Sequence, residues 1–439
     1  MATRNRTLDV HLNLNVRGRL PSATVAINEK SDELRRQGRR VFKLGLGQSP
    51  FPVPECVVEA LRQNAHQKDY LPVKGLPRLR EAIASFHRDR EGVPFTADDV
   101  LVGPGSKELM FLIQLVYYGD LVIPTPTWVS YAPQAGIIGR QVHWIPTRSQ
   151  DRWQLMPDQL DELCRSDPGR PRIVILNSPN NPTGGTYKLE ELKGLARVAR
   201  ENKVVLLSDE IYGDLHFKGQ HVSISRFYPE GTIISSGLSK WCGAGGWRMG
   251  HFVFPSGLRW LLDAMASVAS ETYTATSAPI QHAAVRAFQM GDEIEQYLRR
   301  SRRVLGALAR TIVGRLENAG IEVDPPRGAF YLFLDFGRLR APLAAAGIET
   351  STELCDRLLE DTGVAILPGS AFGRPETELT ARLAFVDFDG DAALAEAARI
   401  GPDARLNGSF SKAIAPEMIE AVERLCRWSA DPSSTGPMP

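Results

Sequence analysis

The chain has 439 residues, with 52 Lys and Arg against 51 Asp and Glu and a formal net charge of +1. Its hydrophobic fraction of 43% and charged fraction of 23% are ordinary for a globular protein with a large core. This balance gives no reason to expect nucleic acid or an acidic membrane surface as a partner.

The spacing of the cysteines and the length of the apolar runs exclude further classes of protein. The five cysteines lie far apart and lack Cys-x-x-Cys spacing, which argues against a metal site and a disulfide framework. The N-terminal segment has no apolar core of signal-peptide length, and no apolar run approaches the ~20 residues of a membrane span. We therefore expect a cytoplasmic protein with no membrane partner.

The predicted elements begin with a helix over residues 23–37, followed by the short apolar run VFKLGLG. Short apolar, β-branched runs then alternate with helical patterns such as 106–117 and 189–201, which predicts a mostly parallel sheet covered by helices on both faces. The predicted strands are 100–102, 121–123, 142–145, 173–176, 204–207, 232–235 and 252–254.

The C-terminal third changes pattern. A long helix is predicted over 292–319, followed by RGAFYLFLDF, a helix over 351–362, the apolar run 364–367 and RLAFVDF. This mixed α+β order predicts a second domain. We divide the chain into a segment 1–55 that packs with the small domain, a large domain 56–300, a small domain 301–430 and a disordered tail 431–439.

Polar clusters follow four of the predicted strands, at the sheet edge where ligands bind in parallel α/β proteins. The first, VGPGSK, contains Gly105, Ser106 and Lys107 and is a glycine turn that enters a helix. Free N–H groups at such a point attract phosphate, although a plain strand-to-helix turn has the same pattern.

The second and third clusters supply an amide and a carboxylate. In NSPNNPTGG, proline turns can aim an Asn amide into a cleft, and in SDEIY the carboxylate of Asp209 can pair with a ligand cation. The first cluster is also explained by a loop with caps, and an isolated Asp209 is better explained by a helix N-cap or an ordinary salt bridge.

The fourth cluster, SSGLSKWCGAGGWRMG, places Lys240 in a turn of small residues. A lysine held out of water loses proton affinity and becomes an amine nucleophile, and Arg248 can clamp a phosphate through two parallel hydrogen bonds. A phosphate cradle, a reactive lysine and an aspartate together are what pyridoxal phosphate requires.

In this order the motifs resemble those of the class I and II aminotransferases, which are pyridoxal-phosphate enzymes of fold type I. Asn-Pro-x-Gly, Asp-x-x-Tyr and Ser-Lys…Gly-x-Arg-x-Gly carry a resemblance that extends over about residues 22–388. It implies an α/β fold with a mostly parallel seven-stranded sheet between helices, plus a smaller α+β domain from both chain ends. The implied reaction moves an amino group from an amino acid to a 2-oxo acid by a ping-pong mechanism.

The resemblance also implies residue roles. Lys240 looks like the lysine that carries the cofactor and shuttles a proton, and Asp209 like the partner of the pyridine nitrogen. Asn181 and Tyr212 are similar to the pair that hydrogen-bonds the ring hydroxyl, and Tyr212 joins Lys240 and Asp209 as a catalytic candidate. The other implied cofactor-binding residues are Gly105, Ser106, Lys107, Trp128, Ser239, Arg248 and Tyr70.

Two further matches concern the substrate and a second subunit. Arg382 and Gly47 match residues that hold the substrate carboxylate, together with Asn181. Tyr70 matches a tyrosine that reaches the cofactor phosphate of the neighbouring subunit, which implies a homodimer with shared active sites.

Some positions depart from the family pattern or stay open. Gly237 stands where some relatives have a phosphate-binding serine, which Ser236 is a candidate to replace. Residues 401–416 look like an insertion that shapes access to the pocket or contacts a partner. Whether Phe51, Tyr331 and Phe372 line the pocket or only pack beside it is an even choice.

Other functions remain open at this stage. The same first shell supports elimination at a carbon–sulfur bond or an oxidation, and a non-catalytic ligand sensor is a third alternative. The N-terminal part shows no winged-helix pattern of the kind that accompanies aminotransferase-like regulators. Nothing in the sequence identifies the amino donor.

Overall fold

The protein is described by a computed structural model that covers residues 11–19 and 23–432. Ser22, where the resemblance begins, and residues 433–439 of the predicted tail lie outside the described residues, as do residues 1–10 of the predicted N-terminal segment. The last described helix ends at Ala430.

The helices of the described residues are built mainly from amphipathic segments. They are α1 (Ala23–Arg36), α2 (Glu55–Asn64), α3 (Pro77–Glu91), α4 (Ser106–Val116), α5 (Tyr131–Ile137), α6 (Pro157–Ser166), α7 (Leu189–Glu201), α8 (Arg259–Ser270), α9 (Ala278–Phe288), α10 (Asp292–Asn318), α11 (Arg340–Ala345), α12 (Ser351–Thr362), α13 (Gly390–Ile400), α14 (Gly408–Ile414) and α15 (Pro416–Ala430).

The strands of the described residues are mostly short and apolar. They are β1 (Phe42–Lys43), β2 (Val100–Gly103), β3 (Asp120–Thr125), β4 (Val142–Pro146), β5 (Arg172–Asn177), β6 (Val205–Asp209), β7 (Thr232–Gly237), β8 (Gly250–Val253), β9 (Glu322–Val323), β10 (Tyr331–Asp335), β11 (Val364–Ala365), β12 (Leu367–Pro368) and β13 (Thr380–Ala384).

The central sheet has seven strands in the order β2-β8-β7-β6-β5-β3-β4. All neighbours pair in parallel except β8, which runs antiparallel to both β2 and β7. Every residue of β5, β6 and β7 is buried, as expected for strands covered by helices on both faces. The predicted α/β fold with a mostly parallel seven-stranded sheet is confirmed.

This topology fixes where the functional side chains lie. Strands β5, β6 and β7 are parallel neighbours, so their carboxyl ends meet at one edge of the sheet. Asn177 and Asp209 are paired in register as the last residues of β5 and β6. The two middle polar clusters of the sequence therefore begin side by side, as the alternation of strands and helices predicts.

The C-terminal part forms a second, four-stranded sheet in the order β12-β13-β10-β9. The N-terminal run VFKLGLG contributes β1, which pairs in parallel with β11 through Phe42 with Val364 and Lys43 with Ala365. The N-terminal and C-terminal parts of the described chain thus meet here. The domain boundaries drawn from the sequence stay a prediction.

The segment predicted as an insertion folds back onto the protein. Its helix α14 begins after Asn407, whose side chain accepts a hydrogen bond from the Phe410 amide and so satisfies one free donor of the helix start. Leu406 and Phe410 are buried in the main hydrophobic core. No helix among the described residues is long and apolar enough to cross a membrane.

Candidate active site

A cavity of about 520 Å³ opens at the carboxyl edge of the central sheet. It brings together residues that are distant in sequence and that were predicted as one site. The predicted residues that line it are Gly47, Ser106, Lys107, Trp128, Asn181, Asp209, Tyr212, Ser239, Lys240, Arg248 and Arg382.

Asp209 is held by hydrogen bonds from three directions. Its backbone oxygen accepts from the side-chain amide of Asn177 at 2.8 Å and from the amide of Ser178 at 3.1 Å. Its carboxylate accepts from the Tyr131 hydroxyl at 2.5 Å and from the Ile211 amide at 3.3 Å. The carboxylate is therefore fixed in one orientation before any ligand binds.

Burial governs the proton affinity of this carboxylate. Removal from water raises the pKa of Asp209 to about 6, although the Tyr131 hydroxyl and the Ile211 amide act in the opposite direction. The ionised carboxylate at neutral pH would be stabilised further by a positive charge, which a protonated ligand nitrogen would supply.

Lys240 lies at the turn after β7 with its ammonium directed into the cavity. Its Nζ donates a hydrogen bond to the backbone oxygen of Gly47 at 2.6 Å. At Gly47 a side chain is excluded, because a Cβ atom would lie 1.9 Å from the Tyr331 hydroxyl. The N-terminal segment is thereby kept close enough to form one wall of the cavity.

The same ammonium has a reduced proton affinity. Burial lowers the pKa of Lys240 to about 8, and the positive charges of Arg382, Arg248 and Lys107 act in the same direction. Asp209 opposes the shift without cancelling it. A substantial neutral fraction near physiological pH makes this amine a usable nucleophile and base.

Arg382 is a buried guanidinium at the side of the cavity that faces β13. Its Nη1 donates to the Oδ1 of Asn181 at 3.0 Å, and its Nη2 donates to the backbone oxygen of Gly45. Tyr331 and Phe372 stack on it at 4.8 and 4.9 Å from the ring centroids. Its Nε is buried and has no hydrogen-bond partner, so the fork still offers a donor to a carboxylate.

Two tyrosine hydroxyls form a pair beside Asn181. The hydroxyl oxygens of Tyr212 and Tyr331 are 2.8 Å apart, and both rings are buried. Burial raises the pKa of Tyr212 well above its ordinary value, so this hydroxyl is protonated and can donate to an oxygen in the cavity.

The other end of the cavity is suited to an anion. Ser106 begins α4, where backbone N–H groups are free, and Arg248 reaches across to it. A Cβ at Gly105 would lie 2.3 Å from the Arg248 Nη2, so glycine is required for this close approach. The Arg248 guanidinium is anchored by the backbone oxygens of Gly245 at 2.8 Å and Pro104 at 3.3 Å.

Lys107 and Trp128 lie next to this anion-binding end. The Lys107 ammonium is 5.1 Å from the centroid of the Trp128 ring, close enough for a cation–π interaction. Partial burial and the neighbouring Arg248 lower the pKa of Lys107. Among the described residues no carboxylate forms an ion pair with Lys107 at 4.0 Å or less.

Some predicted residues lie elsewhere. Tyr70 is 92% exposed and does not line the cavity, as expected if it serves a neighbouring subunit. Gly105 lies behind Arg248 without facing the cavity. Phe51 packs in the core against Tyr297.

The suggestion that Ser236 replaces a phosphate ligand at Gly237 is not supported by the geometry. Ser236 lines a different cavity, together with His87 and Glu210. Successive residues of a strand point to opposite faces, so Ser236 and Gly237 in β7 cannot serve the same side.

Sequence reasoning missed Tyr131 and left Tyr331 undecided. Tyr131 lies three residues after Trp128 in the same PTPTWVSY motif, and its position at the start of α5 directs the hydroxyl to Asp209. The local spacing was visible in the sequence, but the partner is 78 positions away.

The comparisons with known proteins agree with this geometry. The family model described as aminotransferase class I and II matches residues 39–388. The aspartate aminotransferase of Geobacillus stearothermophilus is 36% identical over 367 residues, which are 81% of this chain and 90% of the relative. The aspartate/prephenate aminotransferase of Thermus thermophilus is 34% identical over 366 residues, which are 82% and 91% of the two chains.

A solved structure has a similar fold. Aspartate aminotransferase from Thermus thermophilus with maleate superimposes with a TM-score of 0.80 at 30% identity. The similarity covers 95% of this chain and 100% of that one.

The reduced proton affinity of Lys240 can be measured directly. In the ligand-free protein we expect the rate at which an amine-reactive reagent modifies Lys240 to rise with pH as the ammonium loses its proton. This rise should be governed by the lowered pKa of Lys240 of about 8. Replacing Arg382 by Met should raise that pKa, because a nearby positive charge that disfavours the ammonium is removed. The measurement is peptide mass spectrometry of modification rate against pH, with the exposed Lys412 as internal control. A Lys240 pKa near the ordinary lysine value of about 10.4 would contradict the electrostatic description.

Proposed function

The chain belongs to the class I and II aminotransferases, and we propose that the cavity at the sheet edge holds pyridoxal phosphate and transfers the amino group of aspartate to a 2-oxo acid. The protein is an aminotransferase, and this activity moves an amino group between an amino acid and a 2-oxo acid. We propose which residues perform the reaction and which amino acid is the donor.

One observation carries the proposal. A lysine whose pKa is lowered to about 8 lies in one cavity with a fixed carboxylate, Asp209, and with a buried guanidinium, Arg382. The three groups provide a nucleophilic amine, an anion for a protonated ring nitrogen and a clamp for a substrate carboxylate. A structural salt-bridge network would have paired these charges with one another, whereas Lys240 and Arg382 donate to backbone oxygens.

The donor set fits the cofactor at both ends. Ser106 at the start of α4, Lys107, Ser239 and Arg248 would hold the phosphate, and Asp209 would pair with the pyridine nitrogen. Trp128 would stack on the ring, and Asn181 and Tyr212 would hydrogen-bond its hydroxyl. When bound, pyridoxal phosphate supplies an aldehyde that takes up amino groups and a ring that accepts electrons.

The side chains of the protein orient the substrate and move the proton. Arg382 binds the α-carboxylate of the amino acid through its free Nε and an adjacent N–H, with Asn181 beside it and Gly47 closing the wall. Lys240 removes the proton from the α-carbon as a neutral amine and returns it on the way to the 2-oxo acid. Tyr131 and the Ile211 amide keep Asp209 ionised and in place.

The names of the relatives support an acidic donor. Two of them are an aspartate aminotransferase and an aspartate/prephenate aminotransferase. The cations of the cavity would serve groups that are common to every amino donor, because Lys107 and Arg248 would face the cofactor phosphate and Arg382 the α-carboxylate.

We also propose a cytoplasmic homodimer with shared active sites. Tyr70, Tyr118 and Trp260 are large side chains that are 92, 90 and 57% exposed, and a subunit interface would bury such surfaces. The five cysteines are all unpaired, as is usual for proteins in a reducing compartment.

The other reactions considered from the sequence are not favoured. Relatives and solved structures that match over most of the chain include aspartate aminotransferases, and the lysine of the cavity is intact and directed into it. An elimination would release ammonia without an amino acceptor, which the next experiment also detects.

The first test follows one half of the reaction. Protein saturated with pyridoxal phosphate is mixed with aspartate in the absence of any 2-oxo acid, and we expect one equivalent of oxaloacetate per chain and no ammonia. Replacing Lys240 by Ala should lower the rate by at least about 10²–10⁴-fold, because the proton-transfer group is lost. Replacing the exposed Lys412 by Ala serves as the matched control. Continuous ammonia release, or an unchanged rate without Lys240, would contradict the assignment.

A second test addresses the Tyr131 hydroxyl. Replacing Tyr131 by Phe removes a hydrogen bond to the Asp209 carboxylate, which stabilises the ionised form, so the pKa of Asp209 should rise above about 6. At pH 7 we expect cofactor affinity to fall about tenfold, consistent with a hydrogen bond to a charged group. The ratio of wild-type to variant affinity should narrow as pH rises and Asp209 ionises in both proteins. An affinity ratio that does not change with pH would show that Tyr131 does not act through the ionisation of Asp209.

A third test addresses the neighbouring subunit. Replacing Tyr70 by Phe should raise the dissociation constant of pyridoxal phosphate about tenfold or more, because one hydrogen bond to a charged phosphate is lost. Tyr118, equally exposed, is replaced by Phe as the control. Analytical ultracentrifugation reports the assembly of each variant. A monomeric wild-type protein, or a Tyr70→Phe variant with full affinity, would contradict the shared site.

A further inference from the structure

A second large cavity lies on the outside of the segments that form the active site. It is a groove of about 1140 Å³ between α10, the loop around residues 216–220 and the loop 401–406 that precedes α14. None of the residues that line it also lines the active-site cavity. It is therefore a separate site in the described part of the chain.

The groove carries a strong local excess of positive charge. Its two carboxylates are Glu317 and Asp403, and its cationic residues are Lys188, Lys218, Arg302, Arg303, Arg310, Arg327 and Arg405. The whole chain has a net charge of only +1, so this excess is a property of the groove.

Most of these cations have no carboxylate partner. Arg302 reaches Asp214 at 3.6 Å and Lys188 reaches Glu191 at 4.0 Å. The other five cationic residues of the groove form no ion pair at 4.0 Å or less with any described residue. Surface arginines are usually neutralised by nearby acids, and this chain contains nearly as many acids as bases.

The insertion brings one of these charges into place. Arg303 donates to the backbone oxygens of Gly401 and Ala404 at 2.8 and 2.6 Å and so fixes the loop against α10. Arg310 on α10 donates to the backbone oxygen of Leu406 at 3.4 Å, next to Arg405 of the loop. Partial burial and the charge of Arg405 lower the pKa of Arg310. The loop therefore holds Arg405 close to Arg310, and a bound anion would relieve the repulsion between these like charges.

The floor of the groove is partly apolar. Gly306, Ala309 and Val313 lie on one face of α10 and form part of it, with Phe217 and Pro326 opposite. Small side chains on the helix leave space for a ligand, and an apolar floor reduces the water that screens the surrounding charges. A flat, fully solvated basic surface would bind anions much more weakly.

We propose that this groove binds a small polyanion, a molecule that carries two or more phosphate or carboxylate groups. Arg310, Arg327, Arg405 and Lys218 supply the charge from its exposed walls. Arginine forks bind phosphate and carboxylate equally well in geometry, so the ligand class is defined by its multiple negative charges. The volume of about 1140 Å³ lies just above the roughly 300–1,000 Å³ of typical small-molecule pockets, so the groove has room for a metabolite-sized molecule.

The groove also adjoins the active site through the backbone. The Phe217 amide donates to the Arg327 oxygen at 2.8 Å, and the Arg327 amide donates to the Gly184 oxygen at 2.9 Å. Gly184 closes the turn that carries Asn181, and Tyr331 follows Arg327 by four residues. The ligand would thus rest on the reverse side of the segments that hold the substrate-binding groups.

The test is isothermal titration calorimetry of protein saturated with pyridoxal phosphate, so that the phosphate end of the active site is already filled. Inorganic triphosphate and citrate are the two probes, titrated separately at 150 mM salt. We expect one site per chain for at least one probe. The double variant Arg310→Glu with Arg327→Glu should bind that probe at least tenfold more weakly. Which probe binds distinguishes a phosphate ligand from a carboxylate ligand.

The control is the double variant Arg299→Glu with Lys412→Glu, which changes the net charge by the same amount at exposed positions outside the groove lining. It should bind the probe as the wild type does, and all variants should keep the wild-type melting temperature and aspartate turnover. The proposal is overturned if neither probe binds the wild type, or if the double variant of the groove binds as tightly as the control. It is also overturned if a short oligonucleotide binds more tightly than both probes, since the groove would then serve a macromolecule.

Discussion

The site depends on the way Asp209 is held at the end of β6. Its backbone oxygen accepts hydrogen bonds from Asn177 and Ser178 and so links the ends of β5 and β6. Its carboxylate accepts a hydrogen bond from the Tyr131 hydroxyl of α5. A buried carboxylate without such donors would take up a proton and lose its charge. The parallel sheet supplies the position, and the hydrogen bonds keep an anion there at neutral pH. The remaining groups of the cavity are arranged with respect to this fixed charge.

The cationic groups around Asp209 are held apart from it by their own partners. Lys240 and Arg382 donate to backbone oxygens of residues 45–47, and Asn181 occupies one arm of the Arg382 fork. Because neither cation collapses onto the carboxylate, both remain available to a ligand. The segment 45–47 is therefore as important to the chemistry as the lysine and the arginine themselves, although it contributes only main-chain atoms. Burial therefore lowers the pKa of Lys240 in spite of a carboxylate in the same cavity, and the charge of Arg382 acts in the same direction.

Much of the fold and of the candidate site can be predicted from the sequence, because the patterns that indicate them lie within short segments. The helix over 189–201 was predicted at its observed bounds from amphipathic spacing, and the seven central strands from apolar runs. Lys240, Asp209 and Arg382 stand in dense motifs, and the structure brings them into one cavity. Tyr131 was missed because its partner is distant in sequence, and Ser236 was misjudged because its strand alternation was not followed. The basic groove could not be foreseen, since its arginines come from α10, the 325–327 loop and the insertion, and only the fold unites them.

The pairing of β1 with β11 has a consequence for biosynthesis. Phe42 leaves the ribosome roughly 320 residues before its partner Val364 is made, which at 5–20 residues per second is an interval of tens of seconds. During that time the strands of the central sheet are completed in order along the chain, whereas β1 has no partner to pair with. Assembly of the four-stranded sheet and of the β1–β11 pair must await synthesis of residues 322–384. The wall formed by residues 45–47 thus joins the candidate cavity only after every strand of the central sheet has been made.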